Sequence, residues 1–88
     1  MADTVGLLEE ALQLARDLGY RVREEPLGEL PGGACTVGDA RQVLLNMEHS
    51  VAARLDVLLR ALAADPRLEA EPKSRLLAAR IAALATSG

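Results

Sequence analysis

The sequence predicts an α+β fold in which one helix precedes a three-stranded antiparallel sheet and two more helices follow, packed on one face. Two observations support this prediction. Apolar residues recur at helical spacing near both ends of the 88-residue chain, whereas polar and apolar residues alternate in its middle. Half of the residues are apolar, which is enough for one small core. Because Tyr20 is the only aromatic residue, we expect an aliphatic core within a single domain over residues 1–88.

The first predicted helix covers residues 4–18. Its apolar stripe consists of Leu8, Ala11, Leu12, Ala15 and Leu18. Asp3 or Thr4 can cap the start of this helix, because a side-chain oxygen there accepts hydrogen bonds from free backbone amides. Gly19 suits the left-handed conformation in which many helices end.

Three strands are predicted, at residues 20–25, 34–37 and 41–46. Tyr20, Val22 and Glu24 share one face of the first strand, and Pro26 ends it because proline has no amide to donate to a sheet. The connection GDA between the second and third strands is short and contains glycine, which is typical of a hairpin. These two strands should therefore pair antiparallel.

The last two predicted helices cover residues 51–64 and 72–86. Ser50 is a good N-cap for the first of them. Asp65 ends that helix, since the residue before a proline is pushed out of helical geometry. Between the two helices, PRLEAEP reads as a linker, and the last helix has an apolar stripe of Leu76, Leu77, Ile81 and Leu84.

Net charge and cysteine content indicate a compartment and exclude some partners. The formal net charge of −3 argues against a general nucleic-acid binder. No apolar run approaches the roughly 20 residues that a membrane-spanning helix needs. The single cysteine cannot form an internal disulfide, so a reducing cytoplasm is expected. A nucleic-acid accessory remains an alternative through four basic residues near the last helix, Arg67, Lys73, Arg75 and Arg80.

The loop from Gly28 to Gly33 is glycine-rich and invites comparison with phosphate-binding loops. Such loops open directly into a helix, whose free amides and dipole converge on the anion. Here the glycines lead into a strand, and no Lys-Ser or Lys-Thr pair follows. We expect these glycines to serve tight backbone geometry, while a small ligand at this loop stays an open alternative.

Cys35 is the candidate nucleophile of the chain. A catalytic cysteine needs a base within hydrogen-bond reach, and His49 is the only histidine. His49 follows the far end of the partner strand, so we expect Cys35 to be a buried, structural residue. One cysteine and one histidine also do not make a metal site. We therefore expect no enzyme, metal or cofactor, with a Cys35-based enzyme or redox-responsive protein as the alternative.

The helices carry more apolar surface than a small sheet can cover. In the helix at 51–64, five residues are the candidates for core or contact positions: Leu55, Val57, Leu58, Leu59 and Leu62. Surplus apolar surface on a small protein marks a partner site, unless the helices also pack on one another. The expected function is a non-catalytic protein-interaction module that forms a homodimer or binds another protein.

Three segments, LGYRVREEPLG, GGACTVGDARQVLLN and AARLDVLLRAL, resemble those of short, uncharacterised bacterial proteins. These proteins share an LGYxVRxExLG string, a GGxC turn and an apolar strand before a helix. The resemblance covers about residues 18–62 and implies a bacterial protein, but it implies no activity.

The order of elements is also similar to the core of small zinc peptidases associated with bacterial phage-repressor control. In those enzymes a helix carrying His-Glu-x-x-His follows the hairpin. The corresponding helix here, ARLDVLLRALAA at residues 53–64, contains no histidine. This resemblance implies a scaffold that lacks both the metal ligands and the general base.

Overall fold

A computed structural model describes residues 3–86, so residues 1, 2, 87 and 88 of the predicted domain lie outside the described part of the chain. The elements are α1 (Thr4–Asp17), β1 (Arg21–Glu25), β2 (Gly33–Val37), β3 (Ala40–Asn46), α2 (Val51–Ala63), a 3₁₀ helix (Pro66–Ala70) and α3 (Arg75–Thr86). Their order confirms the predicted α+β class. Within residues 3–86, no helix is long and apolar enough to cross a membrane.

The sheet is mixed, with strand order β1-β3-β2. β2 and β3 form the predicted antiparallel hairpin, in which Cys35 lies opposite Gln42. β1 runs parallel to β3, with Val22 opposite Val43. The prediction of a wholly antiparallel sheet was therefore wrong. β1 and β3 run in the same direction, and because β3 lies between β1 and β2, β1 pairs with β3 instead of β2.

Hydrophobic burial accounts for the central position of β3. Val43 and Leu45 of this strand are completely buried, whereas Ala34 to Val37 of β2 are all exposed. The strand with the largest apolar side chains gains most from a place beneath the helices, whereas β2, whose side chains are small apart from Val37, loses less at an edge. The loop at residues 26–32 makes this order possible because it crosses the end of β3.

Leucines of α1 and α2 pack on one face of the sheet and form most of the core. The fully buried side chains of α2 are Leu55, Leu58, Leu59 and Leu62, and those of α1 that join them are Leu7, Leu8, Ala11, Leu14 and Ala15. Val43 and Leu45 of β3 complete the core from the sheet side. The apolar residues of α1 and α2 therefore pack largely against each other and the sheet.

α3 lies on the other helices instead of the sheet. Within the described chain it contacts α1 and α2 but no strand, so the prediction that both last helices cover the sheet was wrong for α3. Three strands about 4.8 Å apart are too narrow for three helices of about 10 Å each. The amide and hydroxyl of Ser74 both donate to the carboxylate of Glu10, at 2.7 Å each, which holds the start of α3 against α1.

Local signals set the ends of the helices, with two differences from the prediction. Asp3 and Ser50 cap α1 and α2 as expected, and Gly19 takes a φ of 90° just beyond α1. The predicted linker after α2 is instead the 3₁₀ helix, because the side chain of Asp65 accepts a hydrogen bond from the amide of Arg67. α3 begins at Arg75, where the hydroxyl of Ser74 accepts from the amide of Leu77 at 3.2 Å.

Asn46, the last residue of β3, holds the loop that crosses the sheet. Its side chain is buried and all four of its hydrogen-bonding positions are used. Oδ1 accepts from the amides of Leu27 and Glu48, at 3.1 and 2.9 Å. Nδ2 donates to the carbonyls of Gly28 and Leu30, at 2.8 Å each. One amide thus satisfies three backbone groups of the irregular loop and the amide of Glu48 in the turn after β3.

Gly32 allows the loop to approach β3 closely. Its φ is 76°, and a Cβ on this residue would lie 2.4 Å from the carbonyl oxygen of Leu44. Gly28, in the same loop, also has a positive φ of 62°, but a Cβ there would meet nothing within 4 Å. At Gly32 a side chain is therefore disfavoured both by the positive φ and by a clash with Leu44, whereas at Gly28 only the positive φ disfavours it.

Replacing Asn46 should destabilise the whole fold. We expect Asn46→Ala to lower the free energy of unfolding by about 3 kcal/mol, because buried backbone groups lose their partners. Chemical denaturation measures this change. Gln13→Ala, which removes an exposed hydrogen bond within α1, is the control and should change stability by less than about 0.5 kcal/mol. Equal effects of the two variants would contradict the role of Asn46.

Comparison of alanine variants at Gly28 and Gly32 separates the cost of a positive φ from the cost of a steric clash. Gly28→Ala should cost about 1 kcal/mol of unfolding free energy, since alanine disfavours a positive φ. Gly32→Ala should cost about 2 kcal/mol more, because its Cβ also displaces the Leu44 carbonyl. Thermal or chemical denaturation of both variants tests this difference. If they lose the same stability, the close approach at Gly32 is not a constraint.

Candidate functional site

A buried carboxylate lies where α2 ends and the 3₁₀ helix begins. The side chain of Asp65 is only 1% exposed. Pro66 ends α2 at this point, so the backbone turns and directs Asp65 toward the starts of β1 and β3. This is the densest cluster of polar side chains in the described chain that joins separate elements, and it is the first candidate for a functional site.

Three side chains donate hydrogen bonds to Asp65. The hydroxyl of Tyr20 and Nη1 of Arg41 each donate to Oδ2 at 3.0 Å. Arg67 donates from Nη2 to Oδ2 at 2.7 Å, and from Nε to both oxygens at 3.1 Å. The amide of Arg67 also donates to Oδ1 at 2.9 Å. Asp65 therefore ties the starts of β1 and β3 to the end of α2.

These contacts keep Asp65 ionised. The hydrogen bonds from the Arg67 side chain and then from its amide hold the pKa of Asp65 well below its usual range, and they outweigh the opposing effect of burial. A carboxylate with a lowered pKa and its oxygens already occupied is a poor general base near neutral pH. The arrangement suits structural support better than proton transfer.

Tyr20 is perturbed in the opposite direction. Burial, followed by the hydrogen bond and the negative charge of Asp65, raises the pKa of the Tyr20 hydroxyl. The hydroxyl accordingly stays protonated at neutral pH and acts as a donor to Asp65. Together, the two shifts make Tyr20 and Asp65 a fixed donor and acceptor pair.

A shallow cleft of about 260 Å³ lies beside this cluster. It is bounded by β2 from Ala34 to Thr36, a stretch that includes Cys35, and by the end of α2 at Ala61 and Ala64. Tyr20, Arg41 and Asp65 also line it, and the first two donate hydrogen bonds to the third. The cleft thus has small apolar walls, one half-exposed arginine and the cysteine of β2.

Cys35 is exposed, so the expectation of a buried cysteine was wrong. The reason is the strand order, because β2 is an edge strand. Cys35 pairs with Gln42, whereas Arg41 and Val43 face the helices, and paired residues share a face of the sheet. The thiol therefore lies on the face away from α1 and α2, which no helix covers within residues 3–86.

His49 is distant from Cys35. Cys35 lies opposite Gln42, and β3 continues from there to Asn46, about 13 Å further along the strand. The amide of His49 then bonds to the carbonyl of Asn46 at 3.1 Å, which keeps it at that far end. Among residues 3–86, no three Cys, His, Asp or Glu side chains lie together as a group that could hold a metal ion.

Side chains engage several backbone groups in and beside the loop from Gly28 to Gly33. Asn46 binds the amide of Leu27 and two loop carbonyls, and the carboxylate of Glu48 accepts from the amide of Gly28 at 2.7 Å. The amides of Leu27 and Gly28, which could otherwise donate to an anion, are thus occupied. Beside the loop lies an apolar hollow of about 330 Å³, lined by Leu27, Leu30, Pro31 and Leu44 and by the start of β2.

The five candidate residues of α2 separate into two groups. Leu55, Leu58, Leu59 and Leu62 are at most 1% exposed and lie in the core. Val57 is half-buried and lines a groove of about 360 Å³ between α2 and β2. Of the five, only Val57 is positioned to contact a partner.

Two of the four basic residues proposed for nucleic acid are used within the chain. Arg67 binds Asp65, and Nζ of Lys73 donates to the carbonyl of Glu71 at 2.8 Å. Arg75 and Arg80 belong to α3.

Comparison of the chain with models of known protein families, with curated proteins and with solved structures gave no significant match. The resemblances to short bacterial proteins and to the zinc peptidases therefore stay predictions. The geometry described above is the basis for any functional conclusion.

Sequence reasoning missed the two residues that organise the polar structure, Asn46 and Asp65. Asn46 follows an apolar strand and precedes a turn, which is an ordinary position for asparagine. Asp65 was assigned only to the end of a helix. The one available signal was the Asp-Pro pair, since aspartate before proline often caps the next turn.

Replacing Asp65 should change both acid stability and the titration of Tyr20. The folded-state pKa of Asp65 lies below the unfolded value of about 3.9, so its contribution is present above that pH and is lost as the pH falls through the lower folded-state pKa. Asp65→Asn should thus be less stable at neutral pH, and the difference should shrink on acidification. The pKa of Tyr20 should fall toward its usual value in this variant.

Denaturation midpoints across pH and the absorbance of the tyrosinate measure these two effects, and Tyr20 is the only aromatic residue. Asp56→Asn, which breaks the exposed pair with Arg60, is the control. It should leave the Tyr20 titration unchanged. A Tyr20 titration that is the same in Asp65→Asn as in the unmodified protein would refute the proposed pairing.

Proposed function

We propose that the protein is a non-catalytic protein-interaction module of the cytoplasm that associates with a second copy of itself. The observation that carries this proposal is the position of its exposed apolar surface. Two of the five large apolar side chains that are exposed within residues 3–86, Leu30 and Val37, lie beside β2, whereas the leucines of α2 are buried in the core.

Exposed and half-buried apolar side chains border β2 on its helix-free face. Leu30 is 64% exposed and Val37 is 60% exposed. Leu44 of the neighbouring strand is half-buried, and Cys35 is exposed between them. Apolar side chains grouped at one place on a small protein favour a contact with another protein.

Chemistry at Cys35 is the alternative proposal, and the exposed thiol is the observation that favours it. A nucleophilic cysteine also needs an activating base or cation nearby. His49 lies at the other end of β3, and Arg41, the cation that lines the cleft together with Cys35, is engaged by Asp65. The self-associating module is therefore the better supported function.

Sedimentation equilibrium tests self-association. Between about 1 μM and 1 mM protein, the average mass should rise above the 9.3 kDa of one chain, toward a dimer. Leu30→Lys should shift this rise to higher concentration, because it places a charge on the apolar surface around β2. Leu76→Lys changes a side chain of similar exposure, 57%, on α3 and is the matched control. A single chain mass throughout would refute self-association.

A further inference from the structure

The two edges of the sheet differ in charge. β1 has the sequence RVREE, and its charged side chains and the following Pro26 discourage pairing with another strand. β2 has the sequence GACTV, without charge or proline, and four of its five residues are exposed. Within the described chain, β2 is thus the edge open to a further strand.

The hairpin determines which backbone groups of β2 are available. Gly38 and Asp39 form a two-residue loop, closed by the pair of Val37 and Ala40. Such a closing pair exchanges hydrogen bonds, and bonded pairs alternate along an antiparallel ladder. Cys35 therefore bonds to β3, whereas the amides and carbonyls of Ala34 and Thr36 face the open edge.

We propose that β2 pairs antiparallel with β2 of a second copy about a two-fold axis at Cys35, which joins two sheets into one of six strands. This inference rests on the proposed self-association and names its surface. In this register Ala34 bonds to Thr36 of the second copy, and the reverse, through the free amides and carbonyls. The two Cys35 residues lie opposite each other.

Side-chain size matches this register on the helix-free face. Val37 of the second copy would lie opposite Gly33, which has no side chain. The apolar hollow of about 330 Å³ beside Gly33 can accept that exposed valine. Because the axis is two-fold, the same contact forms twice.

The groove on the helix face extends the same surface. It runs between β2 and α2 and is lined by the small apolar side chains of Val57, Ala61 and Ala64. Five paired residues span only about 17 Å. Strand pairing alone therefore buries only part of the roughly 800 Å² per partner that a standard interface buries. The contact needs the groove as well as the strand.

Charge favours a second copy as the occupant. β2 brings no charge to the pairing, so two copies meet without like charges in opposition. At the rim of the groove, Arg60 is paired with Asp56 of the same helix at 2.9 Å. The positive charge of Arg60 is therefore already neutralised when the α2 helices of the two copies come together. Because β2 is uncharged and its side chains fit those of a second β2 that runs in the opposite direction, it is suited to pair with β2 of another copy.

Disulfide cross-linking tests the register, because Cys35 is the only cysteine. A diazene oxidant takes up two electrons and two protons as two thiols form one disulfide. Opposed residues in this register lie close enough for that bond. We expect Cys35 to cross-link on the order of tenfold faster than a matched exposed thiol. That control is Cys35→Ser combined with Val5→Cys, on α1 and 52% exposed in the native chain.

A lysine at the axis supplies the second measurement. Cys35→Lys sets two positive charges opposite each other and should weaken the dimer on the order of tenfold. Val5→Lys makes the same change in net charge away from β2 and should leave the dimer unchanged. Circular dichroism of both variants checks that they fold.

The outcomes separate the two proposals. Fast Cys35 cross-linking together with a weakened Cys35→Lys dimer supports edge pairing. A dimer that persists equally in both lysine variants, with slow cross-linking, overturns edge pairing but leaves self-association intact. A monomer at every concentration overturns both.

Discussion

The buried amide of Asn46 joins the end of the central strand to the loop that crosses it. An irregular loop leaves amides and carbonyls that must find partners, and this one side chain binds three of them as well as the amide of Glu48 after β3. With the loop held in this way, β2 can lie beyond β3 instead of beside β1. The strand order, the open edge and the exposure of Cys35 all follow from that crossing.

The opposite end of β3 is held by a second polar tie. Arg41 near the start of the strand binds Asp65, which also binds Tyr20 and Arg67. Between these two ties, Val43 and Leu45 are buried beneath the helices. The central strand is thus fixed by hydrogen bonds at both ends and by apolar packing in the middle. The Asp65 cluster is thus one of the two polar ties that hold the central strand.

The apolar surface that is available for contact depends on which leucines are buried where the helices pack on one another. The helical pattern alone left open whether the surplus leucines of the helices pack inside the protein or face a partner. Packing of α1 on α2 buries the α2 leucines, whereas exposed apolar side chains remain beside β2, at Leu30 and Val37, and also on α1, on α3 and after β3. The functional proposal therefore moves from a helix face to a strand edge, where directional backbone hydrogen bonds determine the kind of partner.

The sequence by itself determined features that depend on residues three or four apart: the helices, the hairpin, the caps at Asp3 and Ser50, and the stop at Gly19. Local spacing predicts these because both partners of each contact lie in the same short segment. Only the tertiary structure decided the parallel pairing of β1 and the roles of Asn46 and Asp65. Tyr20 and Asp65 are 45 residues apart, and local periodicity carries no information about a contact at that separation.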